Sequence, residues 1–358
     1  MKSNFVMQKS FLAFIITWSF YLVANAQKLP RVIILATGGT IAGKGSSPDR
    51  AAYESGKILI RDLLVAIPSI NKLVDVQGEQ IANVTSSNVT IEIWMTLLKR
   101  INEIFTRNEA DGIVITHGTD TQEETAYFLS LTIRSEKPVV LTGSMRPSSA
   151  ISADGPKNLY DAILVAAAPQ SKGKGVIQSF NEMIYDAKNV TKINTINVNA
   201  FSAPNSGPIG KVYDGQVKYY NQPIDANNQK PFFDISKITQ LPKVEIVYMY
   251  VDASATPLNA LINDKVDGIV VAGAGNGNYS KSFEAAVENA KQKGVAIVRS
   301  SRVVSGNITI ATTDEFNDVK MNTVAAFDHN PQKARILLML ALTVTKNREK
   351  LQEIFMND

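Results

Sequence analysis

Residues Ile33-Ile34-Leu35-Ala36-Thr37-Gly38-Gly39-Thr40-Ile41-Ala42-Gly43 decide the fold. Val32 lengthens the apolar run at its front, and the run halts at Thr-Gly-Gly-Thr. An apolar stretch without polar alternation predicts a strand covered on both faces, as parallel strands are. The glycines that follow allow a sharp turn and a close approach to the main chain. Thr37 and Thr40 are therefore expected outside the carboxyl end of a strand, where open α/β sheets bind ligands. A hydroxyl beside free backbone N–H groups is what a nucleophile with an oxyanion hole requires. A tight turn with no chemistry would satisfy the same eleven residues, so the choice rests on the rest of the chain.

The pattern recurs. Gly112-Ile113-Val114-Ile115-Thr116 predicts a second buried strand, ending in His117-Gly118-Thr119-Asp120-Thr121. A helix is expected to start near Gln122-Glu123-Glu124, its acidic first turn facing the positive end of the macrodipole. Thr119 and Asp120 read equally well as caps of that helix. Val139 to Gly143 is a third strand, leading into Ser144-Met145-Arg146-Pro147. Ser152-Ala153-Asp154-Gly155-Pro156 reads as the cap of a helix from Lys157 to about Ala168, and Gly175 to Ser179 as a further strand.

Between the first two buried strands lies Lys44 to Tyr53, polar and rich in Gly and Ser, which reads as a lid loop. A helical pattern at Leu59 to Val65 and a strand at Val74 to Val84 follow. Ser86-Ser87-Asn88 then reads as a loop or cap. Ile91, Met95, Leu98, Ile101 and Ile104 stand at helical spacing over 89–105. From about Gly215 to Leu241 the apolar period fades into Asn, Gln, Lys and Pro. Beyond it, strands are expected at 244–250, 268–272 and 295–299, with helices near 258–263, 282–293, 331–345 and 349–355. Strand–helix alternation of this kind predicts two doubly wound α/β domains. The larger spans 27–215, a linker 216–242, and a smaller flavodoxin-like domain 243–358.

The 358 residues are 45% hydrophobic and 20% charged, enough for an ordinary core in two domains. Formal net charge is +4 without a long basic run, which gives no reason to expect nucleic acid as a partner. Cysteine is absent, which excludes disulfides, thiol catalysis and Cys-type metal sites. At the N-terminus, Lys2 and Lys9 form a positive region, Phe11 to Val23 an apolar one, and Ala24-Asn25-Ala26 a small-x-small pattern. This predicts a signal peptide over residues 1–26, cleaved after Ala26, and an exported periplasmic protein. An uncleaved anchor is the alternative, although the apolar run is short for a span of about 20 residues. Removing Lys2 and Lys9 takes the charge from +4 to +2. No membrane contact is expected after cleavage.

The motifs together resemble one family. Thr37-Gly38-Gly39-Thr40-Ile41-Ala42-Gly43 and Ile115-Thr116-His117-Gly118-Thr119-Asp120-Thr121 are similar to the two signature motifs of bacterial-type L-asparaginases. Similarity continues through Gly143 to Pro147, Ser152 to Tyr160, Val190-Thr191-Lys192, Gly275 to Asn278, Arg299 to Val303 and Asn330 to Arg335. It covers nearly the whole chain after residue 26, in order, and the N-terminal pattern resembles the exported type II branch. The resemblance implies Thr40 as nucleophile and Tyr53 in the lid as its activator. It implies a second cluster of Thr119, Asp120 and Lys192, and Ser86 as the holder of the substrate's α-carboxylate. Asp120 would also contact the α-amino group. Asn276 and Glu315 match residues that a neighbouring subunit lends to the site, because the family's enzymes are homotetramers built from two intimate dimers.

The implied reaction suits these residue types. A threonine hydroxyl needs help losing its proton, which the Tyr53 hydroxyl or a Lys192 amine made neutral by burial can give. Attack on the side-chain amide builds an oxyanion, which donors at a Gly-rich turn stabilise by roughly 3–4 kcal/mol each. Ammonia leaves, and water resolves the acyl-enzyme to aspartate. No metal or organic cofactor is implied. Ser87 stands where many relatives carry Gln or Glu on the substrate's amino group, so glutaminase activity beside asparaginase activity stays open. Ser144 replaces an alanine found in many members. The segment before Glu315 is longer than usual, and Asp314 is the alternative for its role. With only His117 and His329 present, a Ser-His-Asp triad has little material, and no HExxH spacing occurs. A nucleotide-binding protein would need a Walker loop or G-x-G-x-x-G, and neither is found. An exported, non-catalytic binding protein for acidic amino acids or their amides remains the competing class, separated by turnover. An amidase acting on aminoacyl-tRNA is disfavoured by the export signal.

Overall fold

The computed structural model describes residues 28–45, 53–54, 56, 59–222, 232–313 and 316–358. The predicted signal peptide, most of the lid loop, Asp314 and Glu315 lie outside the described residues. The first sheet is built from β1 (Arg31–Gly38), β4 (Asp75–Val84), β5 (Gly112–Thr116), β6 (Val139–Thr142), β7 (Val176–Phe180), β8 (Met183–Asp186), β11 (Gly210–Tyr213) and β12 (Gln216–Tyr219). Two small antiparallel ladders, β2 (Lys44–Gly45) with β3 (Tyr53–Glu54) and β9 (Thr191–Lys192) with β10 (Phe201–Ser202), stand outside it. The second sheet comprises β13 (Val244–Tyr248), β14 (Gly268–Gly273), β15 (Ala296–Ser301) and β16 (Thr323–Ala325). The helices are α1 (Ile60–Val65), α2 (Ile91–Thr106), α3 (Gln122–Thr132), α4 (Gly155–Ala167), α5 (Thr256–Asn263), α6 (Lys281–Gln292), α7 (Asp318–Met321), α8 (Pro331–Ala341) and α9 (Arg348–Asn357).

Strand order in the first sheet is β12-β11-β8-β7-β6-β5-β1-β4. From β4 to β7 the pairs are parallel, and from β7 to β12 antiparallel. β1 pairs with β4 on one side and β5 on the other. The chain order therefore reverses at β1, the switch point at which open α/β sheets form their crevice. The uninterrupted apolar run of β1 has its cause in two covering layers. Val32, Ile34 and Ala36 pack into the core under α1 and α4, while Ile33 and Leu35 pack into the core under α2 and α3.

Helix α2 follows its predicted stripe: Trp94, Leu97, Leu98, Ile101 and Ile104 are buried, and the Thr90 side chain accepts the N–H of Ile93 at the N-cap. Helix α3 is buried nearly all round, since one side faces the first sheet and the other faces α8 of the second domain. One apolar cluster accordingly runs from Leu35 and Leu97 through Leu129 to Leu337 and Val270. The smaller domain is a parallel sheet in the order β13-β14-β15-β16. Helices α5 and α6 pack on one apolar cluster and α8 and α9 on another.

Two local expectations change. The sheet runs four residues into the stretch read as linker from 216, because β12 closes its edge there. Gln216, Val217, Lys218 and Tyr219 alternate between exposed and half-buried, and a lysine-bearing strand of this kind suits a sheet edge. Asp154 occupies the N-cap position of α4, yet its carboxylate accepts the N–H groups of Met145 and Arg146 and the amide of Asn158, so it shapes the 144–147 loop.

Candidate active site

Three loops meet at the carboxyl ends of β4, β1 and β5, and glycine permits the meeting. Gly38 and Gly39 hold φ of 106° and 81°. A Cβ on Gly39 would lie 2.4 Å from the Gly118 nitrogen, and one on Gly118 would lie 2.8 Å from Ser86 Oγ. The Gly39 N–H donates to the Val84 carbonyl at 3.0 Å. Backbone thus packs on backbone, and Thr40, Ser86 and Thr119 arrive at one crevice. Thr40 opens a single 3-10 turn over Thr40–Ala42 and is buried. The Thr37 hydroxyl donates to the Thr116 carbonyl at 2.9 Å, which pins the two strand ends together.

Thr119 and Asp120 do not cap α3. The N-cap is Thr121, whose hydroxyl donates to the Ser86 carbonyl at 2.8 Å. Lys192 Nζ instead donates to Thr119 Oγ1 at 2.8 Å and to Asp120 Oδ1 at 2.6 Å. The Lys192 side chain is 16% exposed and that of Asp120 67%. Ser86 Oγ accepts the Asp120 N–H at 3.2 Å. Beneath this cluster, Trp94 Nε1 donates to Thr125 Oγ1 at 2.8 Å. That leaves the Thr125 hydroxyl hydrogen for His117 Nε2 at 2.9 Å, and the His117 Nδ1–H for the Gly118 carbonyl at 2.8 Å. Full burial pushes the His117 imidazole down to about 4, so it is the neutral tautomer that holds the Gly118 loop.

The fold therefore gathers Thr40, Ser86, Thr119, Asp120 and Lys192. Ser87 is exposed, its hydroxyl 3.1 Å from that of Thr85. Tyr53 lies on β3, its backbone paired with Gly45. Asn276 belongs to the turn after β14 in the second domain, where its side chain pairs twice with Thr309, at 2.7 and 2.9 Å. Its carbonyl accepts from Arg299 at 3.1 Å, and Arg299 forms a buried two-point pair with Asp318 at 2.6 Å on each side. Among the described residues no group of three or more His, Asp or Glu side chains is placed to hold a metal ion.

Sequence reasoning missed the supports of Lys192. Glu123, read only as a macrodipole partner, accepts the Lys192 N–H at 2.6 Å and the side-chain amides of Asn330 and Gln332 at 3.0 and 2.6 Å. Lys333 sits fully buried at the start of α8. Its neighbours Gln332 and Arg335 are polar, so no apolar run around Lys333 signalled its burial.

A two-domain α/β framework with hydroxyl groups, a lysine and a carboxylate at its switch point holds the parts that hydrolysis through a hydroxyl nucleophile needs. Family models for the asparaginase N-terminal domain and the glutaminase/asparaginase C-terminal domain match residues 31–225 and 243–355. L-asparaginase 2 of Escherichia coli is 47% identical over 92% of this chain and 94% of its own length. The probable periplasmic L-asparaginase of Haemophilus influenzae is 46% identical over 93% of this chain and 94% of its own. Glutaminase-asparaginase of Pseudomonas fluorescens is 41% identical over 93% and 92%. The crystal structure of a probable cytoplasmic L-asparaginase from Campylobacter jejuni superposes with a TM-score of 0.87 at 48% identity, over 92% of this chain and all of that one. The chain belongs to the asparaginase family.

Proposed function

We propose that this enzyme hydrolyses the side-chain amide of L-asparagine to L-aspartate and ammonia, with L-glutamine as a second substrate. One observation carries the reading. Thr40 and Thr119 stand at the ends of adjacent parallel strands, and Lys192 Nζ reaches Thr119 Oγ1 at 2.8 Å beside Asp120. In the proposed reaction Thr40 Oγ attacks the amide carbon, and its proton is relayed to the amide nitrogen through the Tyr53 hydroxyl or the Thr119–Lys192 pair, each giving up one proton as it takes another. The tetrahedral intermediate expels ammonia, which leaves with a proton, and forms an ester on Thr40. Water then attacks the ester beside the Thr119–Lys192 pair, its proton passes by the same relay to Thr40 Oγ as the ester bond breaks, and aspartate is released. Ser86 receives the α-carboxylate, while Asp120 and Ser87 face the α-ammonium group. A hydroxyl for the α-carboxylate and a carboxylate for the α-ammonium group select a free amino acid over a peptide amide.

Asn276 and Glu315 are proposed to act from a neighbouring subunit of a homotetramer. Asn276 is exposed and held by Thr309 of its own domain, which leaves it on the surface where a neighbouring subunit would meet it. The N-terminal pattern and a relative described as periplasmic favour export, with cleavage after Ala26. No helix among the described residues is long and apolar enough to cross a membrane.

The test is ammonia release from L-asparagine and L-glutamine, side by side, by protein beginning at Gln27 and by its Thr40→Ala variant. Release from asparagine that vanishes in a folded Thr40→Ala protein is expected. A folded wild-type protein that binds the amides and releases nothing would overturn the reading in favour of a binding protein.

A further inference from the structure

Lys192 is an improbable place to find a precisely held ammonium. It occupies a two-residue strand, β9, whose ladder partner β10 is equally short. Its side chain has four rotatable bonds, and the Asp120 carboxylate it meets is largely exposed. An ion pair of that kind does little to hold a segment in place. The holding is done from the main chain. Glu123 Oε2 accepts the Lys192 N–H at 2.6 Å, while Oε1 accepts Asn330 Nδ2 at 3.0 Å and Gln332 Nε2 at 2.6 Å. Glu123 itself is buried on the first turn of α3, three residues after Asp120. Lys192 is thereby tied to the same helix start twice, once through its N–H and once through its ammonium.

The orientation of the amides follows from the network. Asn330 Oδ1 accepts the Lys333 N–H at 3.0 Å as the N-cap of α8, so its Nδ2 is the atom left to face Glu123. Three donors converge on one carboxylate, which accepts at both oxygens and donates nothing. From the other side, the buried Lys333 ammonium donates to the carbonyls of Lys188, at 2.6 Å, and of Val190. These carbonyls belong to the turn immediately before β9. The start of α8, in the second domain, thus grips the Lys192 segment at both edges.

We propose that Glu123 is a positioning residue for the reaction: braced by Asn330 and Gln332 of the second domain, it fixes the main chain of Lys192 so that the ammonium meets Thr119 and Asp120. The inference rests on the function proposed above for the Thr119–Asp120–Lys192 cluster. It gives the smaller domain a part in the chemistry of its own protomer.

The experiment compares wild type, Glu123→Gln, Lys192→Met and the double variant by asparagine turnover, with hydrogen exchange followed across residues 188–194. Glutamine at 123 must point an NH2 at one of the three donors, so the clamp is lost at nearly constant volume. In Glu123→Gln, kcat is expected to fall about tenfold to a hundredfold, with KM little moved. The double variant should be no slower than Lys192→Met alone, since Glu123 acts through Lys192. Exchange across 188–194 should quicken. Wild-type kcat in Glu123→Gln, or a double variant slower by the full Glu123→Gln factor, would overturn the proposal. If Glu123→Gln fails to fold, Gln332→Leu removes one donor and should lower kcat in the same direction; an unchanged kcat there counts against the clamp. Should the wild type release no ammonia, the functional reading fails by itself. Exchange then still decides the clamp, quickened exchange supporting it and unchanged exchange refuting it.

Discussion

Gly39→Ala probes the meeting of β1 and β5 on which the site depends. Gly39 has φ 81° and ψ −174°, a region essentially reserved for glycine, where an L-residue costs about 1–3 kcal/mol. The new Cβ would also stand 2.4 Å from the Gly118 nitrogen and 2.5 Å from its Cα, against 3.4 Å for ordinary contact. Both obstacles are backbone and cannot rotate away. The two loops must therefore part by about 1 Å, the difference between 3.4 and 2.4 Å. A displacement of that size between reacting groups costs about a hundredfold in rate, or roughly 2.7 kcal/mol of barrier. Asparagine turnover should fall by that factor, and urea unfolding should report the backbone cost of about 1–3 kcal/mol. Gly207→Ala is the matched control: φ is 73°, yet nothing lies within 4 Å of the added Cβ. It should cost about 1–2 kcal/mol of stability and leave turnover untouched. A folded Gly39→Ala protein with wild-type kcat would refute the claim that backbone contact at Gly39–Gly118 sets the distance between the two threonine loops.

Two further outcomes follow from buried charge. Arg299→Met strands the fully buried Asp318 carboxylate with the Ala311 N–H and Thr323 hydroxyl as its remaining donors among the described residues, and should cost about 3–5 kcal/mol in urea unfolding. An unfolding midpoint equal to wild type would show that the pair contributes nothing. His117 titrates at about 4 in the folded protein and near 6.5 unfolded, so below pH 6.5 the unfolded chain binds the extra proton and stability falls. Between pH 7.5 and 4.5 this group should remove about 2.5 kcal/mol. His117→Gln should flatten that part of the profile, and an identical profile in the variant would argue that His117 is already charged in the folded protein.

Much of the framework was legible because parallel strands covered on both faces must be apolar without interruption. β1, β5, β6 and β14 could each be read from such a run and the turn that ends it, and β15 from its first half, before Arg299-Ser300-Ser301. The antiparallel strands β8 to β12 carry no comparable mark. They are two to four residues long and partly exposed, so tertiary pairing decides them. Thr119 and Asp120 show the same limit within the site. Their residue types suit a helix cap, and only the arrival of Lys192, 73 and 72 positions further along the chain, gives them another partner.

By itself the sequence determined the two α/β domains, the Thr-bearing turns at the ends of β1 and β5, and the order of motifs that defines the family. These are local: a buried strand, a glycine turn and a capped helix each leave their cause in adjacent residues. Tertiary structure alone decided what Glu123 does. Its three donors come from Lys192, Asn330 and Gln332, at separations of 69, 207 and 209 residues. Nothing around Glu123 distinguishes it from an acid placed for the helix macrodipole. A buried carboxylate takes its role from whatever donors the packing of α3 against α8 brings to it, and that packing is a property of the folded chain.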